Sequence, residues 1–361
     1  MKLTLIAGAR PNFMKIAPII HAINRAKKKG ANLDYRLIHT GQHYDKKLSN
    51  YFFDDLNIPY PDVNLGVGSG SHATQTAKIM LAFEEQLKAY PTDYVLVVGD
   101  VNSTMACAIV AKKLQTKVIH VEAGLRSYDL AMPEEINRML TDAITDVFFT
   151  TTPEAGYQLV RTGINPNHIH FVGNVMMDTL VANLDKLQEP PLFKTHHLTT
   201  GSYYLMTLHR PSNVDEERRL KQLIALLSEQ IENKPIIFPA HPRTQKRLAT
   251  LELPQSIIVV DPLRYLEFIF LIKNAFAVLT DSGGVQEETT YLGIPCFTLR
   301  ENTERPETIT TGTNALVGTR AENIVKGFEI LKRGQWKKGK TPVFWEGKAA
   351  DRIVEKLMEL A

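Results

Sequence analysis

Cysteine is almost missing from this 361-residue chain: Cys107 and Cys296 stand alone, each in an apolar segment and far apart in sequence. Two such residues exclude a disulfide framework and offer no metal-ligand spacing, which suits a reducing compartment. No stretch approaches the roughly 20 apolar residues that a membrane helix needs. The opening run Met1 to Gly8 is too short for the apolar core of a signal peptide and stops at a glycine, as a first strand does. Charge of one sign is scarce as well. There are 42 basic against 39 acidic side chains, a net +3 with no global field to draw nucleic acid or anionic lipid. The basic run Lys27-Lys28-Lys29 ends a helix-like stretch before Gly30, where cations suit a helix C-terminus. Repeats, low-complexity tracts and heptads are absent too. These absences predict a cytoplasmic protein with no membrane or nucleic-acid partner.

What is present is ordinary globular composition, 44% hydrophobic and 22% charged, in a length that suits two domains. Short apolar runs alternate with amphipathic stretches, the pattern of parallel-sheet α/β domains. Strands are predicted at 3–7, 35–39, 94–98, 117–121, 147–151 and 169–172, and again at 203–208, 236–239, 257–260, 276–280 and 296–299. Helices are predicted between them, including 12–29, 72–89, 103–115 and 134–145, then 216–232, 264–273, 284–292 and 321–332. Residues 183–202, with Pro190-Pro191 and a polar run, read as a linker. The prediction is two Rossmann-like, doubly wound domains facing a cleft: 1–180 and 181–346, with a C-terminal helix at 347–361 packing back on the first.

Such sheets bind ligands beyond the C-terminal ends of their strands. Asp281-Ser282-Gly283-Gly284 follows a strand and opens a helix, where free N–H groups and close glycine backbone suit a phosphate. An ordinary turn capped by Asp281 or Ser282 has the same pattern. No Walker or GxGxxG motif accompanies it, so neither ATP nor a nicotinamide cofactor is indicated. Arg10 and Lys15, after the first strand, form a second candidate anion site, although Lys15 at the surface and Pro11 starting a helix explain it equally. Asp100 and Glu122 end adjacent strands, and Glu134 and Glu135 open a helix. Buried acids need partners or a use, and crowding raises one pKa, as a proton donor requires. Arg126 and Arg138 can keep the others ionised, Arg138 standing at i+4 from Glu134. Glutamates in a first helical turn also serve the dipole alone. His209-Arg210 ends the second domain's first strand, and His241-Pro242-Arg243, Thr303 to Glu307 and Thr40 to Tyr44 follow other strands. Each is weak by itself.

Read in order, the segments GARP, TGQH, GD at 99–100, VEAGLRS, MPEEINR, HR, HP, DSGGVQEE and TERPE resemble the non-hydrolysing UDP-N-acetylglucosamine 2-epimerases over roughly residues 5–310. The resemblance implies a GT-B-like fold and C2 epimerisation of UDP-N-acetylglucosamine to UDP-N-acetylmannosamine, with neither cofactor nor metal. UDP would leave to give 2-acetamidoglucal and then return. Matched by motif, Asp100, Glu122, Glu134 and His209 would be catalytic. Arg10, Ser282, Gly283, Gly284 and Arg305 would hold the diphosphate, Glu288 the ribose, and Lys15 and Arg138 would support the sugar pocket. A homodimer and a place in surface polysaccharide supply are implied likewise. A 2-epimerase of a UDP-2,3-diacetamido uronic acid and a GT-B glycosyltransferase are the alternatives. The chain departs from the family after His209-Arg210, where Pro211-Ser212-Asn213 lacks the usual glutamate. At Tyr44-Asp45-Lys46 and Ser71 to Gln75 it departs from the pattern of an activating second UDP-N-acetylglucosamine site, which predicts weak or absent activation.

Overall fold

The alternating runs become two parallel sheets in the computed structural model, which describes residues 1–41, 56–240 and 242–361, the side chains of Arg10, Pro242 and Arg243 excepted. The chain divides into two compact units, Met1–Ala182 with Val343–Ala361, and Asn183–Pro342. In the first, β1 (Lys2–Ala7), β2 (Asp34–His39), β3 (Val63–Asn64), β4 (Tyr94–Val98), β5 (Lys117–Val121), β6 (Val147–Thr150) and β7 (Ile169–Phe171) lie in the order β3-β2-β1-β4-β5-β6-β7. In the second, β8 (Tyr204–Thr207), β9 (Ile236–Pro239), β10 (Ile257–Val260), β11 (Ala277–Thr280), β12 (Cys296–Thr298) and β13 (Asn314–Leu316) lie in the order β10-β9-β8-β11-β12-β13. Each strand pair is parallel. The expected class, two doubly wound α/β domains of the GT-B-like kind, is what forms.

The reason lies in the strand composition. All five residues of β4, Tyr-Val-Leu-Val-Val, are buried, which only a sheet covered on both faces permits. Ile6, Val95, Val97 and Val118 pack against Ile79, Phe83, Ala106 and Ala108 on the first unit's helices. Tyr204, Met206, Phe238 and Phe297 pack against Leu220, Leu227 and Phe328 in the second. Burying each such side chain contributes roughly 1.5–3 kcal/mol. Cys107 and Cys296 are buried free thiols within these layers. Among the described residues, no helix is long and apolar enough to cross a membrane.

Several elements escape the sequence pattern. β3 and β13, of two and three residues, are among them. Helices Pro153–Arg161 and Val175–Asn183 lay unread between strands. Residues 183–202, expected as a linker, carry the helix Pro191–Thr195, whose Phe193 ring sits 5.2 Å from Phe270 and 6.1 Å from Tyr203. One aromatic in a polar stretch is enough to dock it on the second unit. The helix Ala349–Glu359 lies on the first unit: Asp178 accepts from the amides of Ala349 and Ala350 at 3.0 and 2.7 Å, and Arg25 pairs with Asp351 at 2.5 Å.

Both strand orders reverse between a unit's first and fourth strands, at β1/β4 and at β8/β11. At such a switch point neighbouring loops part and leave room for a ligand.

Candidate active site

In the first unit the switch point is stitched by Asn12. Its Oδ1 accepts from the amides of Gly8 and Ala9, and its Nδ2 donates to the carbonyl of Val98 at the end of β4. The helix Arg10–Lys28 therefore starts in a fixed place, and Lys15 reaches inward from its second turn. Lys15 Nζ contacts Glu122 Oε2 at 2.5 Å, with the glutamate side chain only 2% exposed. Glu122 follows β5 directly, in the left-handed region, φ 69°, which costs a non-glycine residue of order 1–3 kcal/mol, and its carboxylate meets Lys15. Gly99 lies against this pair: a Cβ there would stand 3.1 Å from Lys15 Nζ, and its φ of +69° favours glycine in any case.

Asp100 follows Gly99 and accepts from Arg138 Nη1 at 2.5 Å. Arg138 is 1% exposed, and its Nε and Nη2 donate to Glu135 Oε2 at 3.0 and 2.7 Å. The arginine thus pairs at i+3 with Glu135 rather than at i+4 with Glu134. Burial by itself lifts the Glu135 carboxyl, but the amides of Ser127 and Tyr128 and the Arg138 guanidinium outweigh it and hold it below the ordinary carboxylate value. Glu134, partly exposed, precedes it in the first turn of the helix Pro133–Ala143. Beneath the turn 99–100, fully buried His120 bridges Asp142 Oδ1 at 2.7 Å and the Gly99 carbonyl at 2.9 Å. Arg126 pairs with the other Asp142 oxygen at 2.7 Å.

The second unit's switch point is built around Asp281, which is fully buried after β11. Neither Asp281 nor Ser282 caps the following helix, Gly283–Leu292, as the sequence allowed. Asp281 instead reaches across the switch point. It accepts from the amides of His209 and Arg210 at 3.1 and 3.0 Å, from Asn213 Nδ2 at 3.0 Å, and meets His209 Nδ1 at 2.9 Å. Burial pushes this carboxyl up, yet His209, the Arg210 amide and Asn213 leave it below its ordinary value. An ionised carboxylate only accepts, so Nδ1 of the half-exposed ring carries a proton. Asn213 also donates to the Leu299 carbonyl at 3.1 Å. The loop is therefore anchored without the missing glutamate, whose place is taken by exposed Ser212.

Ser282, Gly283 and Gly284 stand at the helix N-terminus, where the first amides have no partner within the helix. A Cβ on Gly283 would meet Glu304 Oε1 at 2.6 Å. Glu304 is buried, which raises its carboxyl, but Arg300 at 2.7 Å and Arg305 and Arg210 beyond hold it well below the usual range. Arg305 Nε lies 2.6 Å from Glu287, so its charge is already balanced by a buried carboxylate. Glu288 differs: burial first and the Glu287 charge second push its carboxyl up to about 8.

The structure thus brings together Lys15, Asp100, Glu122 and Arg138 in one unit and His209, Ser282, Gly283, Gly284, Glu288 and Arg305 in the other. The Arg10 side chain, His241 and residues 42–46 lie outside the described residues. Ser71 caps its own helix at Thr74, and Gln75 holds the Gly68 carbonyl and Asn102. His120, Asp142, Asn213 and Arg300 were not expected as partners in the site, nor was the anchoring by Asn12, while Glu135, Asp281 and Glu304 were expected only as members of their motifs. Arg138 at i+3 from Glu135 was the one local signal. Among the described residues, no group of three or more His, Cys, Asp or Glu side chains is placed to hold a metal ion.

Residues 25–358 match the family described as UDP-N-acetylglucosamine 2-epimerase. The chain is 45% identical to the UDP-N-acetylglucosamine 2-epimerase of Methanocaldococcus jannaschii, over 98% of both chains. It is 38% identical to the UDP-2,3-diacetamido-2,3-dideoxy-D-glucuronate 2-epimerase of Pseudomonas aeruginosa, over the whole of both. The crystal structure of the M. jannaschii enzyme in complex with UDP-GlcNAc and UDP superposes with a TM-score of 0.90 at 44% identity, covering 99% of this chain and 100% of that one.

Proposed function

The chain belongs to the UDP-N-acetylglucosamine 2-epimerase family, and on that premise we propose that it interconverts UDP-N-acetylglucosamine and UDP-N-acetylmannosamine. The reaction we assign is elimination and re-addition. A base in the first unit takes the C2 proton as the C1–O bond breaks, and UDP leaves with the bonding electrons. The bound 2-acetamidoglucal then accepts UDP again at C1 and a proton on the opposite face of C2.

The observation that carries this reading is the pairing of two strand-end carboxylates, each held by its own buried cation: Glu122 by Lys15 and Asp100 by Arg138. Two faces of one carbon need two positioned proton-transfer groups, a contribution of roughly 10²–10⁴ each. Glu134 is the third candidate. His209 is assigned to the diphosphate, where its half-exposed ring can meet the departing charge while Asp281 fixes Nδ1. The helix N-terminus at Ser282, Gly283 and Gly284, with Arg10 and Arg305, is assigned to the diphosphate as well. Glu288, protonated at neutral pH, can both donate to and accept from a ribose hydroxyl. We assign the protein to function as a homodimer in nucleotide-sugar supply.

The similarity to the P. aeruginosa enzyme supports a second reading, the diacetamido uronic acid sugar as substrate. Incubating purified protein with each UDP-sugar separately and resolving the products decides between them. A UDP-N-acetylmannosamine product is expected; turnover of the uronic acid sugar alone would reverse the assignment. Release of free sugar or its transfer to an acceptor would favour a glycosyltransferase.

A further inference from the structure

One buried group in the first unit has no part in proton transfer as assigned above. His120 lies on β5, two residues before Glu122, with its ring wholly shielded from solvent. Its Nδ1 faces Asp142 Oδ1 at 2.7 Å and its Nε2 faces the Gly99 carbonyl at 2.9 Å. A carbonyl oxygen only accepts. Arg126 and the amide of Gly124 face the other Asp142 oxygen, which favours the carboxylate, and a carboxylate too only accepts. Both ring nitrogens therefore have to donate.

The partners stand on the elements that bear the site. Gly99 directly precedes Asp100. Asp142 belongs to the helix Pro133–Ala143, which also carries Glu134, Glu135 and Arg138. The second Asp142 oxygen accepts from the amide of Gly124, two residues past Glu122, at 3.1 Å, and meets Arg126 at 2.7 Å. One imidazole thus ties together the ends of β4 and β5 and the helix that clamps Asp100. A buried charge at such a junction is costly unless its place is used.

We propose that His120 is a positioning residue for the epimerisation, a two-proton strut that sets the Asp100 turn against Glu122 and the Arg138 helix. The proposal rests on the assignment of Asp100 and Glu122 to chemistry at C2. Its cut runs through the two donors. Asparagine places its amide where Nδ1 stands and keeps the Asp142 contact. Glutamine places its amide where Nε2 stands and keeps the Gly99 contact. A packing role would rank the variants by lost stability; a positioning role ranks them by the strut they retain.

The test measures kcat and KM with UDP-N-acetylglucosamine for wild type, His120→Gln and His120→Asn, together with UDP affinity and thermal melting. His120→Asn should lose on the order of 100-fold in kcat with KM within about 3-fold, and His120→Gln should stay within about 10-fold of wild type, because small misplacement of reacting groups is expensive in rate. UDP affinity should be unchanged in both. His120→Asn at wild-type kcat, or losses in both variants that follow melting temperature, would overturn the proposal. A second measurement needs neither variant to be active: in ¹⁵N-histidine-labelled wild type, the His120 ring should show slowly exchanging protons on both nitrogens. A single ring N–H would also overturn it. Wild type that turns over no UDP-N-acetylglucosamine would overturn the substrate assignment, and the ring protons would then decide the strut on their own.

Discussion

The two units solve the same electrostatic problem in opposite ways. In the first, the acids at the strand ends and on the helix Pro133–Ala143 are matched to cations: Glu122 to Lys15, Glu135 and Asp100 to Arg138, Asp142 to Arg126 and His120. In the second, acids crowd. Glu287 and Glu288 are consecutive and buried, Glu304 lies nearby behind Gly283, and Glu288 is pushed up to about 8. Pairing with cations fixes where carboxylates point and suits groups that must meet a single carbon. Burial first, and the neighbouring Glu287 charge second, raise the Glu288 carboxyl to about 8, which suits holding a neutral diol beside an anion. Under the proposed function, the contrast assigns proton transfer to the first unit and nucleotide binding to the second.

That separation can be broken most severely at the paired acids. Asp100→Asn and Glu122→Gln should each lower kcat by roughly 10²–10⁴-fold while UDP affinity, measured calorimetrically, stays within about 3-fold. Parallel loss of UDP binding would dissolve the distinction. Next comes Asp281→Ala, which strands the amides of His209 and Arg210 and the Asn213 side chain around a buried vacancy. Removing one partner of a buried ion pair costs about 3–5 kcal/mol, readable as a loss of melting temperature together with weakened turnover.

A third test uses pH. Asp281 is depressed in the folded protein, so its stabilisation is present above the ordinary aspartate range and lost as pH falls through it. Glu288 is raised, so the folded state binds the extra proton and stability falls as pH climbs from the ordinary value of 4.5 to about 8, then levels. Glu288→Gln should flatten that fall in denaturant titrations without moving the acid limb; an unchanged slope would mean Glu288 is ionised at neutral pH. The smallest effect is expected at Ser212→Glu, restoring the family glutamate. Ser212 is exposed and Asn213 already anchors the turn, so stability should change by less than about 0.5 kcal/mol. A larger gain would show that the loop is poorly held as it stands.

Much of this was legible in the chain because strand ends are where apolar runs stop, and Asp100, Glu122, His209 and Asp281 all mark such stops. The acid–cation matching was legible only in part. Glu135 and Arg138 are three apart on one helix, so periodicity brings them together once the helix is read. Lys15 and Glu122 are 107 residues apart, and His120 and Asp142 are 22 apart on different elements. Such pairs follow from strand order, and strand order is not written in any local pattern. Asp281 stayed open between a phosphate turn and a helix cap for the same reason: its partners His209, Arg210 and Asn213 stand 68 to 72 residues earlier, in the loop and short helix after β8. β3 spans only two residues, too few to show a pattern, whereas β13 went unread although β7 and β12 are equally short.

The most direct test of the central claim is proton NMR of the purified protein with UDP-N-acetylglucosamine in D₂O, with nothing else added. Growth of UDP-N-acetylmannosamine signals, with deuterium at C2 of both epimers, is the predicted result. Epimerisation that retains the C2 proton, or no exchange at C2 at all, would contradict the assignment of these paired carboxylates to proton transfer at that carbon.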